Sequence, residues 1–376
     1  LKIVSIEPTP SPYSMKIVLD ERLADGKTEN YKQGDDLSSA PEYITKLFSV
    51  HGVKGIYRVI DFIALERDPR VNWEEILPEV RAIFGAREDA SLAANTTSKD
   101  EHFGEVNVFI QLFRNIPMQV KLEEGDKEQR FGLPQQFMNA VMEASMTSDN
   151  MLEERKWMEQ GPRYGKLEDI GQEVVDEITA SYDEERLKNL IKLASESKQF
   201  EEKRPWKNVT LEMLDNPNWK ERYAALDRMD PSLEDLSVLE KALDDQKASI
   251  RRLATAYLGM IEDRAVLPYL YKALNDKAVN VRRTAGDCLS DLGFKDAIPE
   301  MTKTLTDSSR LVRWRAAMFL YEVGDDTAVP ALQDALEDPE FEVRMQAKMA
   351  LARIQGGEEA KGSIWHQMTE ATKKKN

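Results

Sequence analysis

The stretch NDKAVNVRRTAGDCLSDLG, residues 275–293, sets two arginines, Arg282 and Arg283, just ahead of a run of small and apolar residues. The same arrangement recurs at a fixed interval. Ile250, Val281, Val312 and Val343 lie 31 residues apart, and each is followed by an arginine: Arg251, Arg282, Arg313 and Arg344. Six residues before each arginine stands an aspartate, Asp245, Asp276, Asp307 and Asp338, and Leu258, Leu289, Leu320 and Leu351 share one apolar position. Apolar residues at i, i+3, i+4 and i+7, as in Ile250, Leu253, Ala254, Tyr257 and Leu258, mark an amphipathic helix. A second helix per unit is announced by Pro268, Pro299 and Pro330, since proline is tolerated in a first turn whose amide has no helical partner. Two short helices cannot bury both apolar stripes against each other. Stacked neighbours can, and fixed self-similarity of this period is the signature of a solenoid.

This segment resembles HEAT-like repeats of the short phycobilisome-lyase variety, with four good copies from about 244 to 368 and a partial one from Asn216 onward as a cap, so that an all-α solenoid of about five repeats is expected over residues 206–368. The constant Asp/Arg pair predicts a ladder in which Asp245, Arg251, Asp276, Arg282, Asp307, Arg313, Asp338 and Arg344 fix the stacking register. The residue after each ladder arginine behaves differently. Arg252, Arg283, Trp314 and Met345 occupy one position with four chemistries, and arginine and aromatic side chains are favoured at interface cores. These four, with Tyr269 and Tyr271 on a second helix, are therefore the candidate partner-binding residues of the repeats.

The first 86 residues differ in kind. KIVSIEP and SMKIVLD read as strands, APEYITKLFS as a helix, VKGIYRVIDFIAL after a turn at Gly52 as a strand pair, and NWEEILPEVRAIFG as a helix with Asn72 at its N-cap and Gly85 at its stop. PTPSPYSMK, LFSVHGVKGIYRVIDFIAL and WEEILPEVRAIF resemble the N-terminal domain of Nfu/NifU-type scaffold proteins, which implies an α+β head and a setting in iron–sulfur or iron metabolism. The downstream C-x-x-C of that family, which supplies cluster thiolates, is missing here: the chain has one cysteine, Cys288.

Between head and repeats, residues 104–200 form a small α/β segment, entered through the polar stretch 91–104. VNVFIQLF and MQVKL read as paired strands around RNIP, PQQFMNAVMEASM as a helix, and NMLEERKWMEQGP as a second helix capped by Asn150 with Glu153 at the box position and ended by Gly161-Pro162. GPRYG, residues 161–165, reads as a loop whose Arg163 and Tyr164 join the candidate contact residues. Met138, Met142 and Met146, at i, i+4 and i+8, are read as core. The whole order of head, middle and repeats resembles the conserved virulence factor C family of Gram-positive bacteria. That family name records a phenotype and implies no reaction.

Composition sets outer bounds. Among 376 residues, 52 basic and 68 acidic side chains give a net charge of −16, a sign that repels nucleic-acid phosphates. No apolar run approaches the ~20 residues that span a bilayer, and a soluble, cytoplasmic protein is expected. The chain begins at Leu1, not at methionine, so further N-terminal residues are expected. The three histidines, His51, His102 and His366, form no helix-neighbour pair, and the repeats contain no His-Glu step of the kind found in HEAT-like iron hydroxylases. Cys288 shares its repeat position with Tyr257, Phe319 and Ala350 and reads as core. Phosphate-loop, dinucleotide, nucleophile-elbow and H-E-x-x-H motifs are missing. The expectation is a protein-binding adaptor with no catalytic residues, no metal and no cofactor, whose partner is a protein such as an iron–sulfur carrier. The alternative is a metal-dependent or lyase-like enzyme using Arg114, Arg163 and Tyr164 of the middle segment.

Overall fold

The structure, a computed structural model, describes residues 1–85 and 105–357 apart from 10, 12, 25, 26, 126, 149, 198, 199, 201 and 203–205; His102, His366, the stretch 91–104 and the end of the repeat region lie outside the described residues. In chain order the head comprises β1 (Ile3–Pro8), β2 (Ser14–Leu19), β3 (Thr28–Lys32), α1 (Glu42–Ser49), β4 (Val53–Val59), β5 (Phe62–Arg67) and α2 (Trp73–Ile83). The middle module comprises β6 (Glu105–Phe113), β7 (Ile116–Glu124), β8 (Lys127–Gly132), α3 (Gln135–Ser145), β9 (Arg155–Tyr164), α4 (Leu167–Ser181) and α5 (Glu184–Glu196). Helices follow: α6 (Trp219–Leu226), α7 (Leu236–Leu243), α8 (Ala248–Met260), α9 (Leu267–Leu274), α10 (Val279–Leu292), α11 (Ile298–Thr304), α12 (Arg310–Val323), α13 (Val329–Asp334) and α14 (Phe341–Gln355). The chain divides into two compact units, one of Leu1–Phe103 with Met301–Asn376 and one of Gly104–Glu300, so the repeat helices contribute to both.

In the first unit the head is an antiparallel sheet in the order β1-β2-β5-β4-β3. Strict alternation in β2 sends Met15, Ile17 and Leu19 to the side where α1 and α2 bring Ile44, Leu47, Trp73 and Ile76, and these are all buried. Gly52 turns the chain between α1 and β4 at φ +91°, and a Cβ there would lie 2.6 Å from Val71, so both backbone and space require glycine. Met345 of α14 belongs to the same apolar cluster, with Phe341 and Met349 packed against it.

In the second unit the middle sheet runs β8-β7-β6-β9, all pairs antiparallel. Arg114 and Asn115 link β6 to β7 with φ of 45° and 65°, the left-handed pair that matches hairpin twist. Val106, Val108, Val120 and Leu122 pack against Phe137 and Val141 of α3, Val174 and Ile178 of α4, and Leu187 and Leu190 of α5. Helix α4 comes so close to β8 that a Cβ on Gly171 would lie 2.1 Å from the Phe131 ring.

Three expectations are corrected here. The stretch expected to be a helix from Asn150 is instead the edge strand β9, paired along its length with β6. Its residues 156–159 are exposed on both faces, which erases the two-residue alternation that marks a half-buried strand, and pairing with a central strand overrides the helical propensity of the charged run. Consequently Arg163 and Tyr164 sit at the end of β9, opposite Val106 and Glu105, not in a loop. The methionine stripe is not core: α3 buries Phe137, Ala140, Val141 and Ala144 and leaves Met138, Met142 and Met146 exposed at 51%, 59% and 84%.

The aspartate of each repeat serves as a joint. Asp245, Asp276, Asp307 and Asp338 each accept the backbone N–H two residues on, at 2.7–2.9 Å, which starts the following helix. Each backbone carbonyl accepts a bond from the arginine six residues later, Arg251, Arg282, Arg313 or Arg344, at 2.7–2.9 Å. Arg251 also grips Asp276 of the next repeat with two bonds of 2.7 and 2.9 Å, and Arg313 grips Asp338 in the same way. Arg222 of the partial repeat does so to Asp245, a rung that strict 31-residue spacing does not reach. Burial opposes ionisation of Asp276, but the bonds from Arg251 and the Ala278 amide outweigh it and hold its pKa below the usual value.

Candidate functional site

Arg251 and Arg313 face the aspartate of the neighbouring repeat. The residue after each ladder arginine, one step round the helix, is left to meet whatever covers the row. In the second unit that cover is the middle module. Arg252, mostly buried, donates to Glu177 of α4 at 2.9 Å, and Arg163 at the end of β9 donates to the same carboxylate at 2.7 Å. Lys247, at the start of α8, reaches Asp176 at 3.0 Å while standing 4.2 Å above the Trp219 ring of α6. Asn280 of α10 donates to Glu173 at 3.2 Å. Arg283, 2% exposed, pairs with Asp287 at 2.5 Å, donates to the Tyr164 hydroxyl at 3.3 Å and lies over its ring at 4.8 Å; Tyr164 in turn contacts Glu105.

Electrostatically the cluster is strained. Burial opposes ionisation of Glu177, yet Arg252 and Arg163 outweigh it and its pKa falls. Glu173 one turn earlier has the weaker amide donor; burial and the Glu177 charge raise its pKa. Burial likewise pushes Tyr164 up to about 12 against the pull of Arg283, and raises Tyr223 of α6 beside Glu177.

In the first unit the equivalent positions meet the head. Trp314 and Met345 are 2% and 7% exposed and line a crevice of about 10 Å³, the room of one water, with Ser14 and Trp73 opposite. Gln346 is completely buried on the same lining, and its side-chain amide has no hydrogen-bond partner among the described residues. Beside it Glu342 accepts from Arg67 at 2.9 Å, both buried; Arg67 is further held by the carbonyls of Val71 at 2.6 Å and Pro69 at 3.2 Å. Burial lowers the Arg67 pKa and raises that of Glu342, each partly offset by the other's charge. Arg344 completes the contact with Glu74 of α2 at 3.1 Å.

The row is thus used within the chain. Arg252 and Arg283 pack against the middle module, and Trp314 and Met345 against the head: variable chemistry at a repeated position here matches the different modules that it receives. Arg163 and Tyr164 come together with Arg252 and Arg283, whereas Tyr269 and Tyr271 lie on α9, partly exposed, with the Tyr271 hydroxyl donating to the Asp296 carbonyl. Sequence reasoning missed Glu173, Asp176, Glu177, Arg67 and Glu342, because an acidic helix face carries the same signal in water or against a cation. The enzyme grouping is not assembled. Arg114 is buried at the far end of β6 from Arg163, about 25 Å away at ~3.4 Å per residue, where it pairs with Glu154 and donates to Thr147 at 2.9 Å and to the Ala194 carbonyl. Cys288 is buried, its thiol donating to the Thr255 carbonyl at 3.4 Å. Among the described residues no group of three or more His, Cys, Asp or Glu side chains is placed to hold a metal, and no helix is long and apolar enough to cross a membrane.

Comparison with known proteins follows the same three parts. Residues 4–88 match the scaffold protein Nfu/NifU N-terminal family, 111–191 the virulence factor family, and 236–320, 270–352 and 298–370 HEAT repeats. The chain is 56% identical over 378 residues to uncharacterized protein YpgR of Bacillus subtilis (strain 168), covering 100% of both. It is 44% identical over 274 residues to conserved virulence factor C of Staphylococcus saprophyticus, covering 72% of each. Among solved structures, protein SAV1430 from Staphylococcus aureus is 40% identical over 22% of this chain and 99% of its own, with a TM-score of 0.21.

Proposed function

The chain belongs to the conserved virulence factor C family, and from that premise we propose that it is a cytoplasmic adaptor whose HEAT-like repeats carry two α/β modules and whose middle module engages a protein partner. One observation carries this reading. Helix α3 leaves Met138, Met142 and Met146, at i, i+4 and i+8 of one face, exposed at 51%, 59% and 84%. Isolated exposed apolar residues need no explanation, but such a concentration is what protein-binding surfaces present, and methionine adapts to the surface it meets. Arg252 and Arg283, by contrast, already pack against the middle module, and Trp314 and Met345 against the head. Similarity of the head to Nfu/NifU scaffolds supports an iron–sulfur or iron setting, with the partner a cluster carrier that brings its own thiolates.

The test is binding of the purified full chain to purified iron–sulfur carrier proteins, together with quantitative capture from lysate. Replacing Met138, Met142 and Met146 by Gln is expected to lower partner binding at least tenfold while leaving the circular dichroism spectrum unchanged. Undiminished binding by this variant would refute the surface assignment, and a carrier that fails to bind would remove the iron–sulfur setting.

A further inference from the structure

We propose that the row formed by α6, α8 and α10 is a reading surface for acidic amphipathic helices, with α4 as its occupant in cis; this rests on the adaptor reading above. Helix α4 places carboxylates at 173, 176 and 177, the i, i+3 and i+4 positions of one face, while Ile170, Val174 and Ile178 turn the other face to the sheet. Each carboxylate meets a donor from the repeats: Asp176 meets Lys247, Glu177 meets Arg252 and Glu173 meets Asn280, at 3.0, 2.9 and 3.2 Å. Two cations and an amide, spread over two successive repeats, match three acids on one helical turn.

Stacking does not require these donors. The register is already fixed by Arg222–Asp245 and Arg251–Asp276, and Arg252 lies outside that ladder. What the row selects is therefore the chemistry of a helix laid on it. Such an interface is also suited to exchange. Its polar contacts include two ion pairs, Lys247–Asp176 and Arg252–Glu177, and the desolvation of each charge opposes much of the attraction gained. Glu173 and Glu177, one turn apart, also repel each other. Tethering gives α4 an effective concentration in the millimolar range, which a partner helix in trans must overcome. The fitting partner is a protein that presents an amphipathic helix with carboxylates at i, i+3 and i+4.

The probe is a fluorescein-labelled synthetic peptide of residues 166–182, compared with a neutral version in which the two cation-paired acids, Asp176 and Glu177, are Asn and Gln. The receptor is the full chain, either unaltered or with Glu173→Lys and Asp176→Lys to loosen cis docking. Anisotropy is expected to show the loosened chain binding the acidic peptide at least tenfold more tightly than the unaltered chain does, and at least tenfold more tightly than it binds the neutral peptide. Adding Lys247→Glu and Arg252→Glu should abolish the difference. Equal binding of both peptides, or no binding by a loosened chain whose α8 and α10 amides stay protected from hydrogen exchange, would overturn the proposal. If the loosened chain melts, the exchanged pair Asp176→Lys with Lys247→Asp decides: recovery of the thermal midpoint lost by either single substitution supports charge reading, and failure to recover sinks it. Loss of peptide binding with intact, methionine-dependent partner binding would refute this inference alone and leave the adaptor standing.

Discussion

Removing the carboxylate of Glu342 isolates a charge that the fold has buried. Arg67 and Glu342 side chains are 2% and 6% exposed and 2.9 Å apart. Breaking such a pair from one side costs about 3–5 kcal/mol, because the partner charge stays behind without compensation. Arg67 keeps its bonds to the carbonyls of Val71 and Pro69, which places Glu342→Ala at the lower end, about 3 kcal/mol. Replacing both partners, Arg67→Met with Glu342→Ala, leaves no charge but strands the Val71 and Pro69 carbonyls, a loss of about 1–3 kcal/mol. The double variant should therefore be no less stable than Glu342→Ala, far from the sum of the two single losses. Urea unfolding followed by circular dichroism gives the four free energies of the cycle, and hydrogen exchange at β5 amides assigns the transition to the head. A loss below about 0.5 kcal/mol for Glu342→Ala, or strict additivity, would show that water reaches the pair and that the reasoning from burial is wrong.

Glu173→Gln should stabilise the second unit at neutral pH. The folded pKa of Glu173 is raised, so its ionised form opposes folding above that pKa; the gain from Gln should shrink as pH falls through the raised pKa and disappear below the unfolded value near 4.5, as thermal unfolding across pH would record. Asp276 has the opposite sign. Its depressed pKa stabilises the fold above the unfolded value, and acid should withdraw that contribution as pH falls through the folded value, an effect missing from Asp276→Asn. Arg251→Ala should cost about 1.5–3 kcal/mol in urea unfolding, and lysine should restore only part, since it cannot form the two parallel bonds to Asp276. Gly259→Ala would set a Cβ 2.3 Å from Cys288 Sγ, an overpacking loss of about 1–3 kcal/mol that Cys288→Ala should partly reverse in the same assay.

The repeats were legible because their physics is periodic: the same aspartate, arginine and leucine return whenever the same joint must be built. The head was legible through alternation in β2 and the glycine at the α1–β4 turn. Strand β9 was not, because an edge strand exposed on both faces carries no alternation, and its Glu-Arg-Lys run favours a helix until β6 supplies a pairing partner. The methionines of α3 were misplaced for a related reason: a stripe at i, i+4 and i+8 marks a face, and sequence does not say whether that face looks inward. At the candidate site the row itself was visible as Arg252, Arg283, Trp314 and Met345. Its occupants were hidden, because Glu173, Asp176 and Glu177 are ordinary acids of a surface helix until Lys247, Arg252 and Asn280 stand against them.

The three-way bonding of Asp245, Asp276 and Asp338 constrains how this chain can change length. Excising residues 246–276 would present Arg222 with a following segment of identical connectivity, whereas losing five residues would leave an arginine facing backbone in place of carboxylate. Duplication and loss should therefore proceed by whole cassettes. Each cassette also carries its own inward-facing residue, so every such event would rewrite what the row receives while leaving the joints intact.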